Sequence, residues 1–308
     1  MKYEKNEIVT VTIEDIGSEG EGIGRVEGFT LFVKDAVVGD TVEARIVKNK
    51  KTYAYGRLEK VLVPSPFRVE PKCVWHRQCG GCQLQSCSYE RQLVFKQDKI
   101  RNSLIRIGGF TPEQVDACME PIVGMEDPFR YRNKAQYPVG TDREGNVVAG
   151  FYAARTHNII AHTDCWLGPV ENETILNCIL EYMRENKVSA YDEKTGTGLV
   201  RHILIRKGFA SGEIMVCLVI NGREIPRADR LVKGLIQVKG MTSVSISVNT
   251  EKTNVIMGTE IVNLYGPGYI EDYIGNIKYQ ISPLSFYQVN PEQTEKLYKT
   301  ALEYAGLT

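Results

Sequence analysis

The chain has 308 residues, of which 43% are apolar and 25% charged, and its 38 basic and 38 acidic side chains cancel to a formal net charge of zero. That mixture is ordinary for a globular protein and excludes long disordered tracts, while the length predicts two or three domains. Neutrality excludes nucleic-acid capture by the field of the whole molecule, so an RNA partner would have to be met by local basic patches.

The opening MKYEKNEIVT has no apolar signal-peptide core, and no run of about 18 apolar residues follows that could span a membrane. The expectation is a cytoplasmic monomer with no membrane partner.

Residues 1–63 alternate apolar and polar residues in short runs broken by glycine, as in IVTVTIEDIG, GFTLFVKD and DTVEARIV. This predicts a small all-β, OB-like antiparallel barrel. The turn GSEGEGIG lacks the Lys-Ser/Thr of a phosphate loop and reads as a hairpin. In RIVKNKKTYAYGRL, Arg45, Lys48, Lys50, Lys51 and Arg57 accompany Tyr53 and Tyr55 with no acidic residue between Ala44 and Leu58. Basic side chains hold phosphates and tyrosines stack on bases, so Lys48, Lys50, Lys51 and Tyr53 are candidate RNA contacts. The plainer alternative is a sheet edge guarded by lysines.

VPSPFRVEP is a proline-rich joint that leads to PKCVWHRQCGGCQLQSC, four cysteines within fifteen residues. Next, SYERQLVFKQDKIRNSLIRIGG has helical periodicity, with Ser88 as cap and Gly108 as stop, and TPEQ is spaced as a capping box. Residues 64–280 are expected to form a central α+β domain: strands dominate from about 128 to 282, interrupted by helices over 170–187 and 224–236. FRYRNKAQ would place Arg130, Arg132 and Lys134 on one face of a strand, spaced about 6.5 Å apart as a cationic strip suited to phosphates. The last element, SFYQVNPEQTEKLYKTALEYAGLT, has Asn290 as cap, Pro291 at the first helical position and one apolar face.

In a reducing compartment clustered thiols more often hold metal than pair as disulfides. The spacing C-x5-C-x2-C of Cys73, Cys79 and Cys82 lacks the second close pair typical of zinc and differs by one residue from a plant-type ferredoxin run, so iron–sulfur leads zinc. Gly80 and Gly81 would let backbone N–H groups aim at sulfur. Cys87, Cys118 and Cys165 stay open as the fourth ligand, with His76 a weaker choice. Cys178 and Cys217, inside apolar runs, read as packing.

Together, GSEGEGIGR, the C-x5-C-G-G-C cluster, FRYRNKAQYPV, the cysteine of HTDCWLG, LVRHILIR and SFYQVNPEQ resemble the RNA (uracil-5-)-methyltransferases, specifically the iron–sulfur type with an N-terminal TRAM barrel that modifies 23S ribosomal RNA. The resemblance implies that Cys165 completes a [4Fe-4S] cluster with Cys73, Cys79 and Cys82. It implies S-adenosylmethionine as cofactor, with Gln288 as its contact here. A cysteine thiolate would add to C6 of the target uracil, C5 would take the methyl group, and a glutamate would remove the C5 proton.

The resemblance further implies a multidomain chain: a TRAM barrel over 1–63, an iron–sulfur α+β domain over 64–280 whose helix 88–108 packs on the catalytic domain, and over 281–308 the start of a Rossmann-like α/β methyltransferase domain. On that reading no catalytic residue lies in this chain, the nucleophile and base follow Thr308, and the chain alone is inactive. A free-standing iron–sulfur or zinc RNA-binding module and a transfer-RNA uracil-C5 methyltransferase are the alternatives.

Overall fold

The structure is a computed structural model that describes residues 3–307. It divides into two compact units, Met1–Gly124 and Met125–Thr308.

The first unit opens with β1 (Ile8–Ile16), β2 (Gly22–Val26), β3 (Phe29–Lys34), β4 (Thr41–Asn49) and β5 (Tyr53–Val63), closed into a barrel in the order β1-β2-β3-β5-β4. Period-two alternation turns Val9, Val11 and Ile13 inward with Leu31, Val33, Val42, Ala44, Ile46 and Ala54. Closure relies on Gly24, where a Cβ would stand 2.3 Å from the Thr12 carbonyl oxygen. The strand pair β3–β5 is parallel, the neighbouring pairs antiparallel.

The proline-rich segment after β5 is more than a joint. Asp40, fully buried, accepts from the Val37 and Ser65 N–H groups at 2.7 and 2.8 Å and from Arg68 Nη2 at 2.6 Å. This fastens the start of the cysteine loop to the barrel. Helices α1 (Tyr89–Arg106) and α2 (Pro112–Cys118) complete the unit. Ser88 caps α1 by accepting from the Arg91 N–H, and Thr111 and Gln114 form a reciprocal capping box on α2. No residue of α1 is buried.

The second unit runs β6 (Lys134–Thr141), β7 (Val147–Tyr152), β8 (Ile159–Ala161), α3 (Glu171–Glu185), β9 (Val200–Lys207), β10 (Ile214–Ile220), α4 (Ala228–Leu235), β11 (Met241–Val248), β12 (Glu260–Tyr265), β13 (Ile270–Ile274), β14 (Ile277–Ile281) and α5 (Pro291–Ala305). Seven strands form one sheet in the order β12-β11-β10-β9-β6-β7-β8. Only β10–β11 is a parallel pair, as α4 between them requires. Helices α3 and α4 cover one face, where Ile175, Ile179 and Leu231 pack on Ile203, Ile205, Val216 and Leu218.

On the opposite face Met215 packs with Ile270, Ile281 and Tyr287. The hairpin β13–β14 and the segment after it therefore belong to this unit. The expected three-part fold class is corrected here: residues 281–307 fall within the α+β unit rather than in a unit of their own, with Ile281 and Tyr287 in this small core.

Candidate nucleic-acid interface

On the outside of the barrel, outward alternation in β3 and β5 brings three rings together. Phe32 lies opposite Tyr55 in register, and the centroids of Phe32, Tyr53 and Tyr55 are each 5.6 Å apart. All three are half-buried, leaving ring surface for a stacking base. Lys48 is the cross-strand partner of Tyr55.

Five basic side chains were expected to share this face, but Glu59 takes two of them. Arg45 Nε and Arg57 Nη2 reach its carboxylate at 2.8 and 2.7 Å, and these hydrogen bonds hold the Glu59 carboxyl below its ordinary range. Lys48, Lys50 and Lys51 remain exposed, and among the described residues none has a carboxylate within ion-pair range. Phe32 was missed in the sequence, although it is an outward position of an alternating strand.

The strip Arg130, Arg132 and Lys134 is corrected. β6 begins only at Lys134, and Arg130 is in the left-handed region at φ 54°. Its guanidinium binds Asp164 at 2.6 Å and the carbonyls of Cys165 and Gly168 at 2.9 and 3.1 Å, with its carbon 4.7 Å from the centre of the Trp166 ring. Arg130 thus fixes the HTDCWLG loop. Lys134 is half-buried, and its ammonium is pushed below the usual lysine range by burial, then by Arg206 and Arg132.

The segment Pro283–Asn290, which contains Gln288, is held through its backbone. Asn133 Nδ2 donates to the Gln288 carbonyl at 2.8 Å, and the Asn133 N–H donates to the Val289 carbonyl at 2.9 Å. Arg206, 3% exposed, donates from Nη2 to the carbonyls of Pro283, at 3.3 Å, and Ser285. Tyr287 Oη donates to Asp272 at 3.3 Å, and that buried carboxylate accepts from the Phe209 and Ala210 N–H groups at 3.2 and 2.9 Å. Burial, then the Asp272 charge, pushes the Tyr287 hydroxyl upward. No local sequence signal announces this clamp, because Asn133 and Arg206 lie 77 to 156 residues from the carbonyls they hold.

Cys73 and Cys79 are buried and Cys82 half-buried in the first unit; Cys165 lies in the second. The Gly81 N–H donates to Cys79 Sγ at 3.4 Å, and burial raises the Cys79 thiol. Soft thiolates with an N–H aimed at sulfur suit iron or zinc in donor chemistry. Among the described residues, however, no group of three or more His, Cys, Asp or Glu is placed to hold a metal ion. Cys217, fully buried, has its thiol pushed up to about 11 by burial, and Cys178 is raised likewise, as packing cysteines are.

Residues 2–58 match the model of the TRAM domain. Along 98% of its length the chain is 44% identical to an uncharacterized RNA methyltransferase of Clostridium tetani, of which it spans 65%. It is 40% identical to one from Caldanaerobacter subterraneus, covering the whole of this chain and 67% of that one. A solved structure of Pyrococcus abyssi tRNA (uracil-54, C5)-methyltransferase in complex with S-adenosyl-L-homocysteine superposes on 95% of this chain and 64% of its own, with a TM-score of 0.72 at 25% identity.

The chain belongs to the RNA methyltransferase family. The chain spans about two thirds of the length of the proteins it matches.

Proposed function

We propose that the protein is an S-adenosylmethionine-dependent RNA (uracil-C5)-methyltransferase whose substrate is 23S ribosomal RNA. The observation that carries this is the likeness, over 95% of the chain, to a methyltransferase of the uracil-C5 type, joined to relatives above 40% identity that are RNA methyltransferases. The ribosomal substrate rests on the resemblance of the cysteine loop and barrel. Transfer RNA is the second reading, favoured by the substrate of the solved neighbour.

RNA is held, on this reading, by the rings of Phe32, Tyr53 and Tyr55 with Lys48, Lys50 and Lys51, and by Arg132 and Lys134 in the second unit. Arg130 serves by positioning the Cys165 loop. Gln288 contacts the cofactor; Asn133 holds its carbonyl, and Arg206 and Asp272 fix the segment before it through Pro283, Ser285 and the Tyr287 hydroxyl. S-adenosylmethionine supplies the methyl group for C5. The raised thiols of Cys178 and Cys217 make both poor nucleophiles, and neither is assigned that role.

Cys73, Cys79 and Cys82 are the proposed thiolate set of an iron–sulfur cluster, with Cys165 as fourth ligand by resemblance. Anaerobic purification with iron, sulfide and zinc analysis tests this. About four irons per chain, lost in Cys79→Ser and Cys165→Ser, are expected; one zinc unaffected by Cys165→Ser refutes the cluster.

For the activity, 5-methyluridine is mapped by mass spectrometry in ribosomal and transfer RNA from cells with and without the gene. Its loss from 23S RNA, restored by complementation, is expected. Loss from transfer RNA alone selects the second reading, and no change in either RNA overturns both.

A further inference from the structure

A cleft of about 770 Å³ lies in the second unit between the ends of β6 and β7, the edge strand β8 and the turn at 191–194. Its size is in the range of small-ligand sites. One wall is a stacked pair, Tyr152 and His157, with ring centroids 5.2 Å apart and planes 27° from parallel. Glu193 closes that wall: His157 Nδ1 stands 2.5 Å from its Oε2. Burial, then the Glu193 charge, pushes the Tyr152 hydroxyl up to about 12.

His202, on β9, lines the cleft from inside the sheet and is 8% exposed. Its Nδ1 is buried without a hydrogen-bond partner, a condition that buried polar atoms rarely tolerate. Burial and the neighbouring Arg201 hold this imidazole neutral, down to about 4, so it offers one donor and one acceptor rather than a charge.

These walls do not suit an anion. Asp142, Asp192 and Glu193 offset Arg143 and Lys194 around the rim, and the Arg201 guanidinium is committed to the carbonyls of Asn249 and Glu251 at 2.8 and 2.7 Å. They suit a flat, neutral ring with polar edges. Proteins read splayed-out RNA bases in this way, by stacking on aromatic side chains and hydrogen-bonding to base edges.

We propose that the cleft receives an unpaired purine of the RNA, guanine above all, stacked against Tyr152 with its donor edge on the Glu193 carboxylate and its other edge toward His202. A guanine offers adjacent N–H donors to a carboxylate, whereas uracil flanks its N–H with two carbonyl oxygens that the carboxylate repels. The inference rests on the RNA reading above, and nothing in that reading assigns this cleft.

The test uses a fluorescein-labelled RNA hairpin with guanosines in its loop, each replaced in turn by an abasic site, together with titration of GMP and UMP followed by NMR. Wild type should lose about ten-fold in affinity at one abasic position, the effect of one stacked base. Tyr152→Leu and Glu193→Gln should bind the intact hairpin about ten-fold more weakly, with no further loss at that position, and should abolish a GMP response that exceeds the UMP response. Variants that bind hairpin and GMP as wild type does, or that keep the full abasic penalty, overturn the base site. A wild type that binds GMP but no hairpin overturns the RNA reading and keeps the site.

Discussion

Asp40 shows how much one side chain holds in the first unit. Its carboxylate is fully buried and satisfied by two backbone N–H groups and Arg68. Replacing it by alanine leaves a partly buried guanidinium without its counterion, a loss on the order of 3–5 kcal/mol. Asp40→Ala should therefore lower the thermal midpoint of the first unit by several degrees or more, as read by calorimetry. His202 acts on stability through pH. Its folded pKa of about 4 lies below the ordinary 6.5, so the unfolded chain takes up a proton first as pH falls. Stability fully present above about 6.5 declines toward pH 4, by up to about 3 kcal/mol for a shift of this size. His202→Gln should flatten the pH profile of the denaturation midpoint across that window.

At the scale of elements, strands and caps were legible and tertiary polar contacts were not. Ser88, the Thr111–Gln114 box and Asn290 cap the helices at the positions their spacing indicates, because capping is a local exchange of hydrogen bonds. The barrel strands follow their alternation for the same local reason. Arg130 defeated the alternation rule because bonds to Asp164 and two carbonyls outweigh the strand preference of its segment. The hairpin β13–β14 was not anticipated: its two strands alternate only weakly, with exposed Tyr273 and Ile277 at the turn. The clamp on Pro283–Asn290 makes its own prediction. Arg206→Met should raise amide hydrogen exchange across residues 284–290, while α3 and α4 keep their protection. Equal loosening of α3 would mean that Arg206 supports the whole sheet instead.

At the scale of the molecule, 38 positive and 38 negative charges leave no net attraction for RNA, so on the proposed function binding falls to patches such as the barrel face. Each phosphate neutralised on a single strand contributes a slope of about −0.7 in log affinity against log salt. The three lysines of that face then account for roughly two units of slope, whereas ring stacking should carry almost none.

The decisive measurement is the salt dependence of single-stranded RNA binding by the wild-type chain, by Lys48→Ala/Lys50→Ala/Lys51→Ala, and by Phe32→Ala. The account predicts that the triple variant binds more weakly with a slope shallower by about two. Phe32→Ala should bind about ten-fold more weakly at every salt concentration with the slope unchanged. Affinity and slope identical to wild type in both variants would contradict the claim that this barrel face is where the protein holds RNA.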